Sequence, residues 1–259
     1  MKIATWNAST LSASDWKMRL RFVLSFKDEV LCLQETRWDE AQVAAVRSWL
    51  QSSGFRGATL LATPATVSET NGSLWGGVAV IIRRGGPEGW SCGSQFQCGS
   101  SALGVICTKG ETKFGVVTVY AQSGSASACV ASRARLFREV SMQVANWEGA
   151  LGTAGLTILG DFNMITGGVQ DSIRRPLTGI RAGAEDIEAY NQMMAVASIK
   201  DAWTVLNPRL SAEESATHRE GRRIDRILVP HGWLHGGAEI TRVTGYLRDA
   251  RPQSSASDL

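Results

Sequence analysis

The sequence has no apolar run approaching the roughly 18 residues of a membrane-spanning helix, and its first residues enter a strand-like segment instead of a charged stretch with an apolar core behind it. A membrane anchor and a secretion signal are therefore not expected. A nuclear or cytoplasmic location is, with no targeting signal to choose between them. The cysteines Cys32, Cys92, Cys98, Cys107 and Cys129 are odd in number and contain no C-x-x-C pair, so neither a disulfide framework nor a structural zinc site is indicated. Cys32 and Cys107 sit inside apolar runs and read as packing residues. An excess of one charge is also lacking. Subtracting 24 Asp+Glu from 27 Lys+Arg leaves +3, too little to announce a nucleic-acid binder by itself, so any basic surface must be local. Lysine is confined to Lys2, Lys17, Lys27, Lys109, Lys113 and Lys200. The arginine bias suits bidentate phosphate contacts, although a GC-rich coding sequence produces the same bias. Histidine is scarcer still, at His218, His231 and His235.

What is present is an ordinary globular composition, 44% hydrophobic and 20% charged over 259 residues, enough for one large domain over residues 1–259 with no internal repeat or low-complexity linker. Short apolar runs of β-branched character alternate with helix-like segments, the pattern of a layered α/β protein. Strands are expected over residues 2–7, 30–35, 77–83, 102–108, 113–120, 156–161 and 223–229. Helices are expected over 16–25, 40–52, 130–147 and 185–196. In the third of these, Leu136, Val140, Val144 and Trp147 form an apolar stripe that must face a core. Gly- and Ser-rich stretches at 85–101, 122–127 and 167–183 read as surface loops.

Four apolar runs end in polar residues: Ala4-Thr5-Trp6-Asn7, Cys32-Leu33-Gln34-Glu35, Val117-Thr118-Val119-Tyr120 and Leu159-Gly160-Asp161-Phe162-Asn163. If those strands share a sheet, their polar ends converge on one edge, the usual place for a site in α/β proteins. An ionised carboxylate at the end of a buried strand is costly unless a cation or donors compensate it, so Glu35 and Asp161 together ask for a hard, oxygen-loving ion such as Mg²⁺. Taken singly, each residue has a plain alternative. Asn7 can be a turn residue, Glu35 a loop start, Tyr120 a packing residue and Asp225 a salt-bridge partner of Arg223 or Arg226, while Arg222 and Arg223 can form a solvated face or bind a nucleic-acid backbone.

Thr5-Trp6-Asn7, Leu33-Gln34-Glu35-Thr36, Tyr120 closing a strand, Gly160-Asp161-Phe162-Asn163 and Arg223-Ile224-Asp225-Arg226 together resemble, in order and over most of the chain, the motifs of the endonuclease/exonuclease/phosphatase superfamily. Three further stretches are similar to the apurinic-like endonuclease domain of LINE-type non-LTR retrotransposons. They are Cys32-Leu33-Gln34-Glu35-Thr36-Arg37-Trp38, Gly76-Gly77-Val78-Ala79-Val80, and Asp201-Ala202-Trp203 with Asn207-Pro208. The resemblance implies a DNase I-like α/β four-layer sandwich, two mixed β-sheets face to face with helices outside. It also implies Mg²⁺-dependent hydrolysis of DNA phosphodiester bonds, with Mn²⁺ as a substitute ion and a place in a larger retrotransposon polyprotein.

Carried over residue by residue, Glu35 would bind the metal with Asn7 supporting it, and Tyr120 would contact the scissile phosphate. Asp161 would position or activate water, Asn163 would hold the phosphate, and Asp225 would orient a histidine. That histidine belongs to a final Ser-Asp-His motif, and this chain reads Ser257-Asp258-Leu259. Asp258 remains as a metal ligand, while the absent imidazole and final strand imply impaired activity in a truncated or degenerate copy. The alternatives are a catalytically silent product and a phosphatase of the same superfamily, whose scaffold also serves inositol phosphatases.

Overall fold

Two-residue alternation in the strands sets the layering, because successive side chains on a strand point to opposite faces. In the computed structural model, residues 2–9, 11, 14–26, 28–67, 72–83, 89–151, 155–166, 183–217 and 223–235 are described. One sheet contains β1 (Ile3–Asn7), β2 (Val30–Gln34), β3 (Thr59–Thr63) and β6 (Val78–Ile82), in the order β1-β2-β6-β3. β4 (Thr66–Val67) and β5 (Leu74–Trp75) form a separate ribbon. The second sheet contains β7 (Ser91–Cys98), β8 (Ala102–Lys109), β9 (Thr112–Tyr120), β10 (Leu156–Asp161), β11 (Ile199–Asp201) and β12 (Asp225–Pro230), in the order β11-β12-β10-β9-β8-β7. Both sheets are mixed: β1–β2 and β9–β10 pair in parallel and the other neighbours antiparallel.

On β2, Val30 and Cys32 face the second sheet while Leu31 and Leu33 face helices; on β6, Val78, Val80 and Ile82 point inward and Ala79 and Ile81 outward. The second sheet answers with Val105, Cys107, Phe114, Val116 and Leu159 across the gap. Helices α1 (Trp16–Leu24) and α2 (Glu40–Ser52) cover the first sheet's outer face through Leu20, Val23, Leu24, Val43, Val46 and Leu50. Asp39 starts α2 by accepting a hydrogen bond from Gln42 N at 2.7 Å. On the far side, α3 (Ser127–Leu151) lays Leu136, Val140, Val144 and Trp147 on the second sheet, and α4 (Ala184–Val196) packs beside it through Tyr190 and Met193. Short helices α5 (Ala202–Leu206), α6 (Ala212–Ser215) and α7 (His231–His235) flank β12 in the chain order. The result is the DNase I-like α/β sandwich in four layers.

Among the described residues no helix is long and apolar enough to cross a membrane. The expected strand over 156–161 and helix over 40–52 coincide with β10 and α2. Two expectations need correction. The stretch 85–101 is not wholly loop, because Ser91–Cys98 forms β7, an edge strand in which only Phe96 and Cys98 are buried, so its sequence shows little apolar alternation. Helix α3 starts within the supposed loop 122–127 and runs past residue 147 to Leu151. Residues 167–182 of the expected loop 167–183, Arg222, His218 and the final Ser257-Asp258-Leu259 lie outside the described residues.

Candidate active site

Strand parity brings the polar strand ends together. Asp161 follows Leu159 by two residues on β10 and therefore faces the first sheet, and Tyr120 and Asp225 stand in register with it on β9 and β12. Gly160 makes this possible: its φ is 141°, and a Cβ there would sit 2.0 Å from Val119 O, so only glycine lets β10 run this close to β9. Asp161 is 3% exposed. Its Oδ1 accepts a hydrogen bond from Asn163 N at 2.9 Å, and its Oδ2 accepts one from Asn7 Nδ2 at 2.7 Å, across the gap between the sheets. Asn163 Nδ2 donates to Ala121 O at 2.9 Å, which turns the loop after β10 back over the end of β9.

The first sheet delivers the other half. Asn7 is in register with Gln34, and its Oδ1 accepts from Ser9 N at 3.2 Å. Gln34 is fully buried between the sheets, where its Nε2 donates to Thr118 Oγ1 at 2.8 Å and its Oε1 accepts from Thr5 Oγ1 at 3.1 Å. This amide ties the two rims at a fixed separation. Immediately beyond it the chain bends through left-handed conformations at Glu35 and Arg37, φ 52° each, and Asn163 opposite has φ 48°. Such values in non-glycine residues cost on the order of 1 kcal/mol or more apiece and persist only where surroundings impose them. The imposing partner is Gly76-Gly77, whose carbonyls accept from Arg37 N and Thr36 N at 3.0 Å each. Gly77 N in turn donates to Ser100 O at 2.9 Å, and Ser100 Oγ accepts from Thr66 Oγ1 at 2.9 Å. The Glu35 carboxylate is ion-paired with the Arg37 guanidinium.

Burial, then the Asp225 carboxylate, push the Asp161 carboxyl well above its ordinary value; the Asn163 and Asn7 hydrogen bonds oppose this and Glu35 adds to it. Burial, then Glu35 and Asp161, likewise push the Tyr120 phenol up, so it stays a neutral donor at physiological pH. The same interactions place Glu35, Tyr120, Asp161 and Asp225 within one electrostatic neighbourhood. It is an all-oxygen donor set with more negative charge than its hydrogen bonds offset, and Arg37 on Glu35 stands where a hard cation could. Oxygen donors of this kind are the ones a hard divalent cation takes. Among the described residues no three Asp, Glu, His or Cys side chains are grouped closely enough to hold an ion by themselves, and Asp258 lies outside them.

Asn7, Glu35, Tyr120, Asp161, Asn163 and Asp225 thus meet at one rim of the two sheets. Arg223 does not join them as an exposed backbone contact. It is 2% exposed and its Nη1 donates to Asp201 Oδ2 at 2.7 Å, because a charged residue leading into a strand here finds a buried partner instead of solvent. Sequence reasoning had no assignment for Thr118, Ser100 or Thr66, and singled out Gly76-Gly77 only as a similar string. A buried polar residue inside an apolar run, as at Gln34 and Thr118, is the one signal that could have revealed the tie between the sheets.

The model of the endonuclease/exonuclease/phosphatase family matches residues 4–258. No curated protein matches the chain by sequence. Among solved structures it is similar to the 3′ phosphatase NExo from Neisseria bound to product DNA hairpin, at 18% identity and TM-score 0.63 over 91% of this chain and 88% of that one. It is similar to an AP endonuclease from Archaeoglobus fulgidus at 15% identity and TM-score 0.62, over 91% of this chain and 88% of that one. The AP endonuclease LMAP from Leishmania major aligns at 16% identity and TM-score 0.64 over 90% of this chain and 79% of that one. Identities this low speak to the fold.

Proposed function

The chain belongs to the endonuclease/exonuclease/phosphatase family, and from that premise we propose that it hydrolyses phosphodiester bonds in DNA with Mg²⁺, nicking one strand of a duplex. The observation that carries the reading is the Asn7–Asp161 hydrogen bond of 2.7 Å, which closes the two rims over a buried carboxylate flanked in register by Tyr120 and Asp225.

The chemistry follows from those groups. A water oxygen attacks phosphorus in line with the departing ester oxygen, one P–O bond forms and one breaks, and the water's proton passes to a base. Asp161 is that base: it faces the gap between the sheets in register with Asp225, and burial and that neighbour raise its proton affinity above that of an ordinary carboxylate. Tyr120 and Asn7 donate hydrogen bonds to the nonbridging oxygens, where charge develops, and Asn163 fixes the Asp161 carboxylate through its backbone N–H. Glu35, supported by Asn7, would hold a divalent cation, which would supply charge neutralisation on the phosphate.

Within the family, the Gln34-Glu35-Thr36 and Gly160-Asp161-Phe162-Asn163 strings and the similarity to LINE-type sequences support a target-nicking or apurinic-type endonuclease acting as one part of a retrotransposon polyprotein. A second reading is removal of a 3′ phosphate from DNA; the Neisseria relative favours it. The test is nicking of supercoiled plasmid in Mg²⁺, with EDTA and Asp161→Ala as controls, beside a 3′-phosphorylated oligonucleotide. Nicks abolished by both controls support the endonuclease; phosphate release without nicks supports the second reading. Nicks that survive Asp161→Ala reject the site.

A further inference from the structure

Behind the rim, on the side away from the first sheet's contribution, a buried charge cluster is left unused by the chemistry above. Asp201 closes β11 and caps α5, its Oδ1 accepting from Trp203 N at 3.2 Å. Its other oxygen, Oδ2, accepts from Arg223 Nη1 at 2.7 Å and from Arg226 Nη1 at 2.8 Å. All three residues are buried: Asp201 is 8% exposed, and Arg223 and Arg226 are 2% each. The two guanidiniums come from either side of Asp225 in the sequence, so one carboxylate grips the chain just before and just after the residue that stands opposite Asp161.

The grip extends to the loop that carries Asn163. Arg226 Nη2 reaches Met164 O at 3.4 Å, and Phe162 N donates to Ile224 O at 2.9 Å. Thr217 Oγ1 completes it by accepting from both Ile224 N and Asp225 N at 3.1 Å. A buried ion cluster of this kind is poor evidence for stability, since desolvation of the charges offsets most of their attraction, and apolar replacements of similar volume are often neutral. What the cluster does supply is direction: guanidinium forks accept few geometries, and here they fix the backbone on both sides of Asp225 and behind Asn163.

We infer that Asp201 is a positioning residue for the hydrolytic site, setting through Arg223 and Arg226 the place of Asp225 against Asp161. The inference rests on the proposed nuclease reading for its kinetic consequence but not for its structural one. A small misplacement of a reacting group costs up to about 10²-fold in rate. Asp201→Asn keeps the shape and one acceptor oxygen while withdrawing the charge that both guanidiniums share.

Two measurements test this. In plasmid nicking, run well below the melting temperature of each variant, Asp201→Asn is expected to lower kcat by roughly 10- to 100-fold with KM changed by less than about threefold. In an Asp225→Ala background the same substitution is expected to cost nothing further, because the two residues act as one unit. Additive losses in the double variant, or an unchanged kcat in Asp201→Asn, overturn the inference while leaving the nuclease reading intact. Independently of any activity, amide hydrogen exchange in Asp201→Asn should speed up at Ile224, Asp225 and Phe162 and stay unchanged in β2 and β6 of the opposite sheet. Unchanged exchange at those three amides overturns it even if the protein cuts no DNA, and uniform loss of protection in both sheets assigns Asp201 to general stability instead. The triple variant Asp201→Leu, Arg223→Met, Arg226→Met guards against misfolding. It is expected to melt near the wild-type temperature and still show fast exchange at Asp225; slow exchange there would overturn the inference.

Discussion

The two halves of the candidate site are made by opposite means. The second sheet presents Tyr120, Asp161 and Asp225 side by side on three neighbouring strands, in register and with Tyr120 and Asp161 buried, so their placement is a property of the sheet itself. The first sheet presents Asn7 from a strand end, then leaves regular structure to deliver Glu35, holding it by left-handed backbone and the Gly76-Gly77 carbonyls. One half is desolvated and its carboxylate has a raised proton affinity; the other is partly open and its carboxylate carries a counter-charge from Arg37, whose side chain is 43% exposed. The division suits a hydrolase. A base works best where its proton affinity is tuned by burial, and a cation site must stay reachable by the ion and by a charged substrate.

Three substitutions press on that contrast. Gly160→Ala should do the most damage, because the new methyl meets the Val119 carbonyl oxygen in a strand that cannot move without displacing Asp161. A loss of about 3 kcal/mol or more is expected, read as a fall in the urea midpoint; a loss below about 1 kcal/mol would mean that β9 and β10 are not held as described. Gln34→Leu removes the amide that ties the sheets and strands the Thr118 hydroxyl in the core. It should cost roughly 1–3 kcal/mol and also weaken nicking, whereas Ser25→Ala, which removes a comparable hydrogen bond on the exposed end of α1, should leave nicking unchanged.

The smallest effect concerns pH. In metal-free protein the Asp161 carboxyl has its folded value above the unfolded one, held up by burial, Asp225 and Glu35 against the Asn163 and Asn7 hydrogen bonds. The folded state therefore binds the extra proton. Its contribution to stability is fully present below the ordinary carboxylate range and is lost as pH rises through the raised value. Melting temperatures in EDTA should fall with rising pH in the wild type more than in Asp161→Asn, and parallel curves would show that Asp161 is not held in this state. Saturating Mg²⁺ should remove the difference in part by stabilising the ionised form.

Much of this arrangement was legible in the sequence, for a physical reason. A strand buried on both faces reads as an unbroken apolar run, so a polar residue at its end stands out, and Glu35, Tyr120 and Asp161 are visible on that ground; Asn7 ends the half-buried edge strand β1 and is visible through the flanking Thr5-Trp6 instead. The edge strand Ser91–Cys98 was not, because with one side of the ladder open and two residues buried it carries almost no alternation. The burial of Arg223 is not legible in the sequence, since arginine is mostly exposed and nothing local announces that Asp201, twenty-two residues earlier, supplies a buried partner. Contacts between sheets, such as Gln34 with Thr118, join residues 84 positions apart and leave only a polar residue in an apolar run as their trace.

The proposed hydrolysis needs both rims acting as one site. Its most direct test is Mg²⁺-dependent nicking of supercoiled plasmid by Glu35→Gln from the first sheet and Asp161→Asn from the second, each shown to be folded by its melting curve. Both are predicted to lose at least about 10²-fold in rate. Wild-type nicking by either one would contradict it.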